Sequence, residues 1–167
     1  MYDELTEVDI RKMQEEIDHR VRVLRPQLIE DVQTARAFGD LSENFEYKCA
    51  KRDKNRNDSR IRYLERMIRT AKVITVQSDA DAVGLFDHVE FFNEKLGQVQ
   101  RIQLVTTLRQ DVLKGLISKE SPVGKAFLGH KVGERILIQI SPELSYYAEI
   151  RAIEKGEDDA SLDISGY

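Results

Sequence analysis

The chain has 167 residues, a net charge of -4 at pH 7, a pI near 5.5 and a charged fraction of 34%. That balance argues against a protein that grips nucleic acid over its whole surface, and the distribution of the charges matters more than their total. No run of about 18 apolar residues occurs and Met1-Tyr2-Asp3-Glu4 lacks the order of a signal peptide, so a cytoplasmic protein with no membrane association is expected. Cys49 is the only cysteine, which rules out an intrachain disulfide, and His19, His88 and His130 have no zinc-ligand spacing.

From Ile10 to Ala35 the apolar residues Ile10, Met13, Ile17, Val21, Leu24, Leu28, Val32 and Ala35 step by three or four, the seam of a helix packed along its whole length. Thr6 is placed to cap it, with Asp9 as the acidic partner of a capping box. Pro26 lies inside and predicts a kink. A second seam runs through Tyr47, Ala50, Lys54, Asn57, Ile61, Leu64, Ile68 and Ala71. Between the two, Gly39, Asp40, Ser42 and Asn44 favour a turn. Folding back about residue 41 opposes Val21 to Ile61 and Leu28 to Lys54. Residues 1–76 are thus expected to form an antiparallel helical hairpin on the order of 45 Å long, its bend at 39–46 reaching into solvent or a partner.

Beyond residue 76 glycines recur and the period changes. Phe86 to Asn93 and Gln98 to Thr106 predict a β-hairpin turning at Gly97. Lys125 to Leu128 predicts a short helix ended by Gly129, and Arg135 to Ile140 and Tyr146 to Ile153 predict two more strands. In the last of these Tyr146, Ala148, Ile150 and Ala152 share one face. Residues 77–155 are therefore read as a small antiparallel-sheet domain with a short helix. Residues 156–167 are acidic, poor in core residues and expected to be disordered.

Two clusters of charge could carry chemistry. Asp40, Glu43 and Glu46 crowd the bend. They can simply cap a helix and complement its dipole, or they can offer hard oxygen ligands to Mg²⁺ and orient a water, as phosphodiester hydrolysis requires. Residues 48–72 then hold ten basic side chains against three acidic ones, with Lys48, Arg52, Arg56 and Arg60 recurring every four positions along one face. This is either a solvated helix surface or a phosphate-binding one, and acidic partners are scarce within it.

The run Ala35-Arg36-Ala37-Phe38-Gly39-Asp40-Leu41-Ser42-Glu43-Asn44-Phe45-Glu46-Tyr47 resembles the tip motif of the GreA/GreB transcript cleavage factors. Asp58-Ser59-Arg60-Ile61 with Leu64-Glu65 is similar to that family's second helix. Lys114 to Ser118, Ser121 to Gly129 and Val132-Gly133-Glu134 are similar to its C-terminal domain. The resemblance implies an α+β protein: a long antiparallel coiled-coil hairpin plus an FKBP-like domain without implied isomerase activity. It implies a monomeric elongation factor with bacterial RNA polymerase and the nascent RNA 3′ end as partners. Such a factor is no enzyme by itself; entering the secondary channel, it stimulates the polymerase's own Mg²⁺-dependent hydrolysis of backtracked RNA. Asp40 and Glu43 are then the catalytic residues and share Mg²⁺ with the polymerase. Arg36, Lys48, Lys51, Arg52 and Arg56 would face RNA or the channel, and Ser121, Pro122 and Gly124 would serve docking. A related regulator that enters the channel without promoting cleavage is the alternative, and a coiled-coil adaptor with merely capping acids a third. Leu104 to Asp111 departs from the family pattern, and Lys51 stands where arginine is common.

Overall fold

In a computed structural model, residues 3–39 and 44–166 are described. Contacts group the chain into two units, residues 10–71 and residues 1–9 together with 72–167. The boundary expected at residue 76 therefore falls a few positions earlier, and the first nine residues belong with the C-terminal unit.

The hairpin unit is built from α1 (Glu7–His19, whose start lies in the other unit), α2 (Arg25–Arg36) and α3 (Phe45–Thr70). The capping box at the start of α1 is formed: the Thr6 amide donates to Asp9 Oδ2 (3.1 Å) and the Asp9 amide to Thr6 Oγ1 (3.3 Å). Just before Pro26, where a kink is expected, the chain widens into a five-residue π-helical turn, Arg20–Leu24, with the Arg25 amide donating to the Arg20 carbonyl. Pro26 follows in the first turn of α2, where its missing N–H costs no hydrogen bond.

The π turn also resets the register between the helices. Arg60 donates to both carboxylate oxygens of Glu16 (2.8 and 3.2 Å), Arg20 to Asn57 Oδ1 (3.0 Å) and Arg25 to Asp58 Oδ1 (3.1 Å). From Arg20 to Arg25 the first strand of the hairpin advances five residues while its partner changes only from Asn57 to Asp58. Met13, Ile17, Ile61 and Leu64 are buried beside these rungs, whereas Val21, Leu24, Leu28 and Val32 are only half-buried. Asn57 lies inward as expected, and Lys54 reaches Asp58 (3.0 Å).

Glu16 gives this ladder a pH dependence. Burial raises its pKa, but hydrogen bonds and charge from Arg60 and Arg20 outweigh that and hold the carboxyl below its ordinary value. Its stabilisation is complete above the unfolded carboxyl pKa of about 4.3 and is lost as pH falls through the lower folded value. Glu16→Gln is expected to lower the melting temperature at pH 7 and to narrow the difference between melts at pH 7 and pH 3, read by circular dichroism. An unchanged difference would remove Glu16 from the account.

The second unit opens with β1 (Glu4–Leu5), which pairs in parallel with β2 (Lys72–Val73). Its main sheet contains β3 (His88–Asn93), β4 (Gln98–Val105), β5 (Leu116–Ser118), β6 (Arg135–Gln139) and β7 (Ser145–Glu154), in the order β5-β4-β3-β7-β6. The predicted antiparallel hairpins are present, turning at Gly97 (φ +64°) and after β6. The sheet is mixed, however, because β4 and β5 run parallel, and three-residue β5 is too short to show a period in sequence. The short helix α4 (Pro122–Phe127) lays Phe127 against Phe91, ring centroids 4.8 Å apart, over a core of Val83, Val89, Leu104, Ile136, Ile138, Ala148 and Ile150. The alternation expected for β7 holds only to Ile150. A bulge there leaves Arg151 without a partner opposite β3, so Ile153 packs against the core while Ala152 is exposed.

The disorder expected of the tail is corrected by the structure for residues 156–166. Arg109, its side chain 0% exposed, donates to Asp9 Oδ1 (2.6 Å) and to the Asp159 carbonyl (3.1 Å), and pairs with Asp158 (2.6 Å). The Gly156 amide donates to Asp87 Oδ1 (3.0 Å) and the Ser165 amide to the Leu108 carbonyl (2.7 Å). Leu162 packs against Leu85, Phe86, Val105 and Leu116. A Cβ at Gly156 would stand 1.9 Å from the Phe86 carbonyl oxygen, so only glycine permits this approach. Acidic composition predicts disorder when charges stay in water; here a buried arginine remote in sequence draws the tail in.

Candidate functional site

The bend begins where α2 ends. The Ala37 amide is shared between the Gln33 and Thr34 carbonyls, the Phe38 amide donates to Ala35, and Gly39 takes φ +137°, a conformation L side chains rarely adopt. On the far side Asn44 is extended, and its Oδ1 accepts from the Tyr47 amide (3.0 Å), capping α3. The same side chain donates through Nδ2 to the Ala35 carbonyl (2.6 Å), satisfying an end group of α2. Asn44 thus ties both helices together at the bend. Its place just before the helix signals the cap in sequence, but its second bond to Ala35 depends on the fold.

Asp40 and Glu43 lie outside the described residues. Asn44 nonetheless supplies the cap of α3, the local role that competes with metal binding for the bend's acidic side chains.

Behind the bend, Arg36 and Lys51 are drawn to one ring. The Arg36 guanidinium carbon lies 5.6 Å from the Tyr47 centroid and Lys51 Nζ lies 5.9 Å from it. Arg36 beside the hydroxyl lowers the Tyr47 phenol below its ordinary pKa, with burial opposing and Lys51 adding to the lowering. Lys48, Arg52 and Arg56 are exposed, and Arg52 makes only a long contact to Asp53 (3.7 Å). Arg60, the fourth member of that periodic row, is instead buried and bound to Glu16, so the row divides into an exposed part near the bend and a structural part at its base. Among the described residues no group of three His, Cys, Asp or Glu side chains could hold a metal ion.

Ser121, Pro122 and Gly124, expected at a docking surface, build the corner between β5 and α4. Ser121 Oγ accepts from the Gly124 amide (3.0 Å) and donates to the Ser118 carbonyl (2.7 Å), while Pro122 occupies the first turn of α4. Gly124 is buried, and a Cβ there would come within 2.1 Å of the Ser118 carbonyl oxygen. Gly124→Ala is therefore expected to cost about 1–3 kcal/mol in thermal melts, because backbone must yield. A neutral substitution would contradict the close approach.

Two family descriptions match the chain: "Transcription elongation factor, N-terminal" over residues 4–73 and "Transcription elongation factor, GreA/GreB, C-term" over residues 77–155. The chain is 40% identical to transcription elongation factor GreA of Mesoplasma florum over 136 residues, covering 81% of this chain and 87% of that protein. It is 34% identical to GreA of Oenococcus oeni over 154 residues, covering 92% and 95%. Among solved structures, GreA factor homolog 1 of Thermus thermophilus is similar at 24% identity and a TM-score of 0.42, with 93% of this chain and 100% of that chain covered. No helix among the described residues is long and apolar enough to cross a membrane. Two matching domain models in order, supported by relatives that span most of both chains, place this protein in the GreA/GreB family of transcription elongation factors.

Proposed function

We propose that this chain binds bacterial RNA polymerase, presents its hairpin bend through the secondary channel, and stimulates hydrolysis of the 3′ end of backtracked RNA at the polymerase's own active site. The observation that carries the reading is the division of labour at the bend. Asn44 caps α3 and braces α2, so the bend has a structural support other than Asp40 and Glu43. Exposed Lys48, Lys51 and Arg52 stand behind the bend with Arg36, which suits an RNA phosphate backbone.

The two carboxylates fit Mg²⁺ by donor chemistry: the ion takes hard oxygen ligands and is commonly held by one or two carboxylates together with substrate phosphates. Shared with the polymerase, it would supply charge stabilisation and an activated water. Asp40 and Glu43 would contribute the oxygen donors and orient the water by accepting its hydrogen bonds. Arg36 and Lys51, braced by Tyr47, would hold the RNA strand by its charge. The C-terminal unit would dock on the polymerase, leaving the chain a donor of groups in trans rather than an enzyme.

The test adds the full chain to stalled, backtracked polymerase in the presence of Mg²⁺. Release of short 3′ RNA fragments faster than from polymerase alone is the expected result. Binding that slows synthesis without cleavage would replace this reading with a regulator of the same channel.

A further inference from the structure

Three of the four aromatic residues between positions 10 and 71 lie within ten positions at the bend: Phe38, Phe45 and Tyr47, with Tyr63 the fourth. Tyr47 is half-buried and engaged by Arg36 and Lys51, but Phe38 is 72% exposed and Phe45 is 76% exposed. Folded chains ordinarily bury this side chain, and Asn44 braces the bend without either ring. The two phenylalanines stand two positions before Asp40 and two positions after Glu43, one on each side of the acidic segment.

Their surroundings decide what would cover them. Arg36, Lys48, Lys51 and Arg52 are exposed within the same stretch of chain. Open aromatic rings beside exposed cations match single-stranded nucleic acid, whose bases have a π face and whose phosphates need positive charge. An apolar protein wall would match the rings but offer no negative charge to the exposed cations.

Resting on the function proposed above, we infer that Phe38 and Phe45 are stacking platforms for unpaired bases of the extruded RNA 3′ segment, and so positioning residues for the cleavage promoted by Asp40 and Glu43. Stacking on a ring is tolerant of base identity, so the device would serve any transcript.

The test compares stimulated cleavage of two backtracked RNAs, one with ordinary nucleotides in the extruded segment and one with abasic nucleotides there. Removing both rings in Phe38→Ala/Phe45→Ala is expected to slow cleavage of the ordinary RNA about tenfold. Wild type should lose about as much on the abasic RNA, and the double variant should lose little more there, because both changes delete one interaction. The double Trp variant should retain cleavage, whereas the double Leu variant, apolar but without a π face, should not. Both residues are exposed, so helix content by circular dichroism should be unchanged; should the Ala pair unfold, the Trp and Leu pairs carry the comparison. A Leu pair as active as wild type overturns the inference, as does an equal loss on both RNAs with weakened polymerase binding, which would seat the rings on protein. Wild type that cleaves neither RNA removes the proposed function and this inference together, a result visible before any variant is made.

Discussion

Asp40→Ala and Glu43→Ala are expected to reduce stimulated transcript cleavage by on the order of 100-fold each, toward the rate of polymerase alone, while binding to polymerase is retained. A metal held by few carboxylates has no spare protein ligands, so each loss removes both an oxygen donor and a negative charge. Asp40→Asn and Glu43→Gln separate those contributions, since they keep volume and hydrogen bonding but lose charge. The docking surface is expected on the C-terminal unit, which is why affinity in a competition assay should change little. Cleavage by the double Ala variant at the wild-type rate would sink the ligand role. A variant that neither binds nor cleaves would instead show that these side chains anchor the factor.

The largest stability effect is expected at Arg109. Its side chain is fully buried and joins Asp9, Asp158 and the Asp159 carbonyl, with its guanidinium carbon 5.1 Å from the Phe86 ring centroid. Phe86 is itself held at φ +69°, an unusual conformation for a bulky residue, so this corner has little freedom to relax. Arg109→Ala leaves the fully buried Asp9 carboxylate without its cation, and removing one partner of such a pair costs about 3–5 kcal/mol. At roughly 4–8 °C per kcal/mol for a unit of this size, melting should fall by more than about 12 °C. Adding Asp9→Asn to Arg109→Met should restore part of the loss, because the fully buried side chain at position 9 then carries no unpaired charge. Asp158→Asn should cost far less, since that side chain is 16% exposed. A loss below about 1 kcal/mol for Arg109→Ala would mean that the buried ion pair does not form in solution.

Gly39 and Gly97 were legible as turns because their backbone angles belong to the residue itself. The seam through Met13, Ile17, Ile61 and Leu64 was legible because a helix repeats every 3.6 residues whatever it packs against. Thr6 and Asp9 were legible as a capping box for the same local reason. The acidic bend and the basic stretch behind it were equally plain, but sequence left open whether the acids merely cap α3. Asn44 answers for the cap, and exposure singles out Phe38 and Phe45, which residue type alone would have assigned to a core.

Local residue pattern thus marked out a two-helix hairpin with an acidic bend, a mostly antiparallel sheet unit after it, and the family resemblance carried by the bend. Tertiary structure decided the π turn that resets the rungs from Asn57 to Asp58, the parallel pairing of β4 with β5, the bulge in β7 and the docking of residues 156–166. The physical reason is the range of the interaction. Caps, turns and helical periods act over four residues or fewer, while a charge is stabilised by whatever the fold brings beside it. Arg109 finds Asp9 a hundred positions away, and no local pattern announces that meeting.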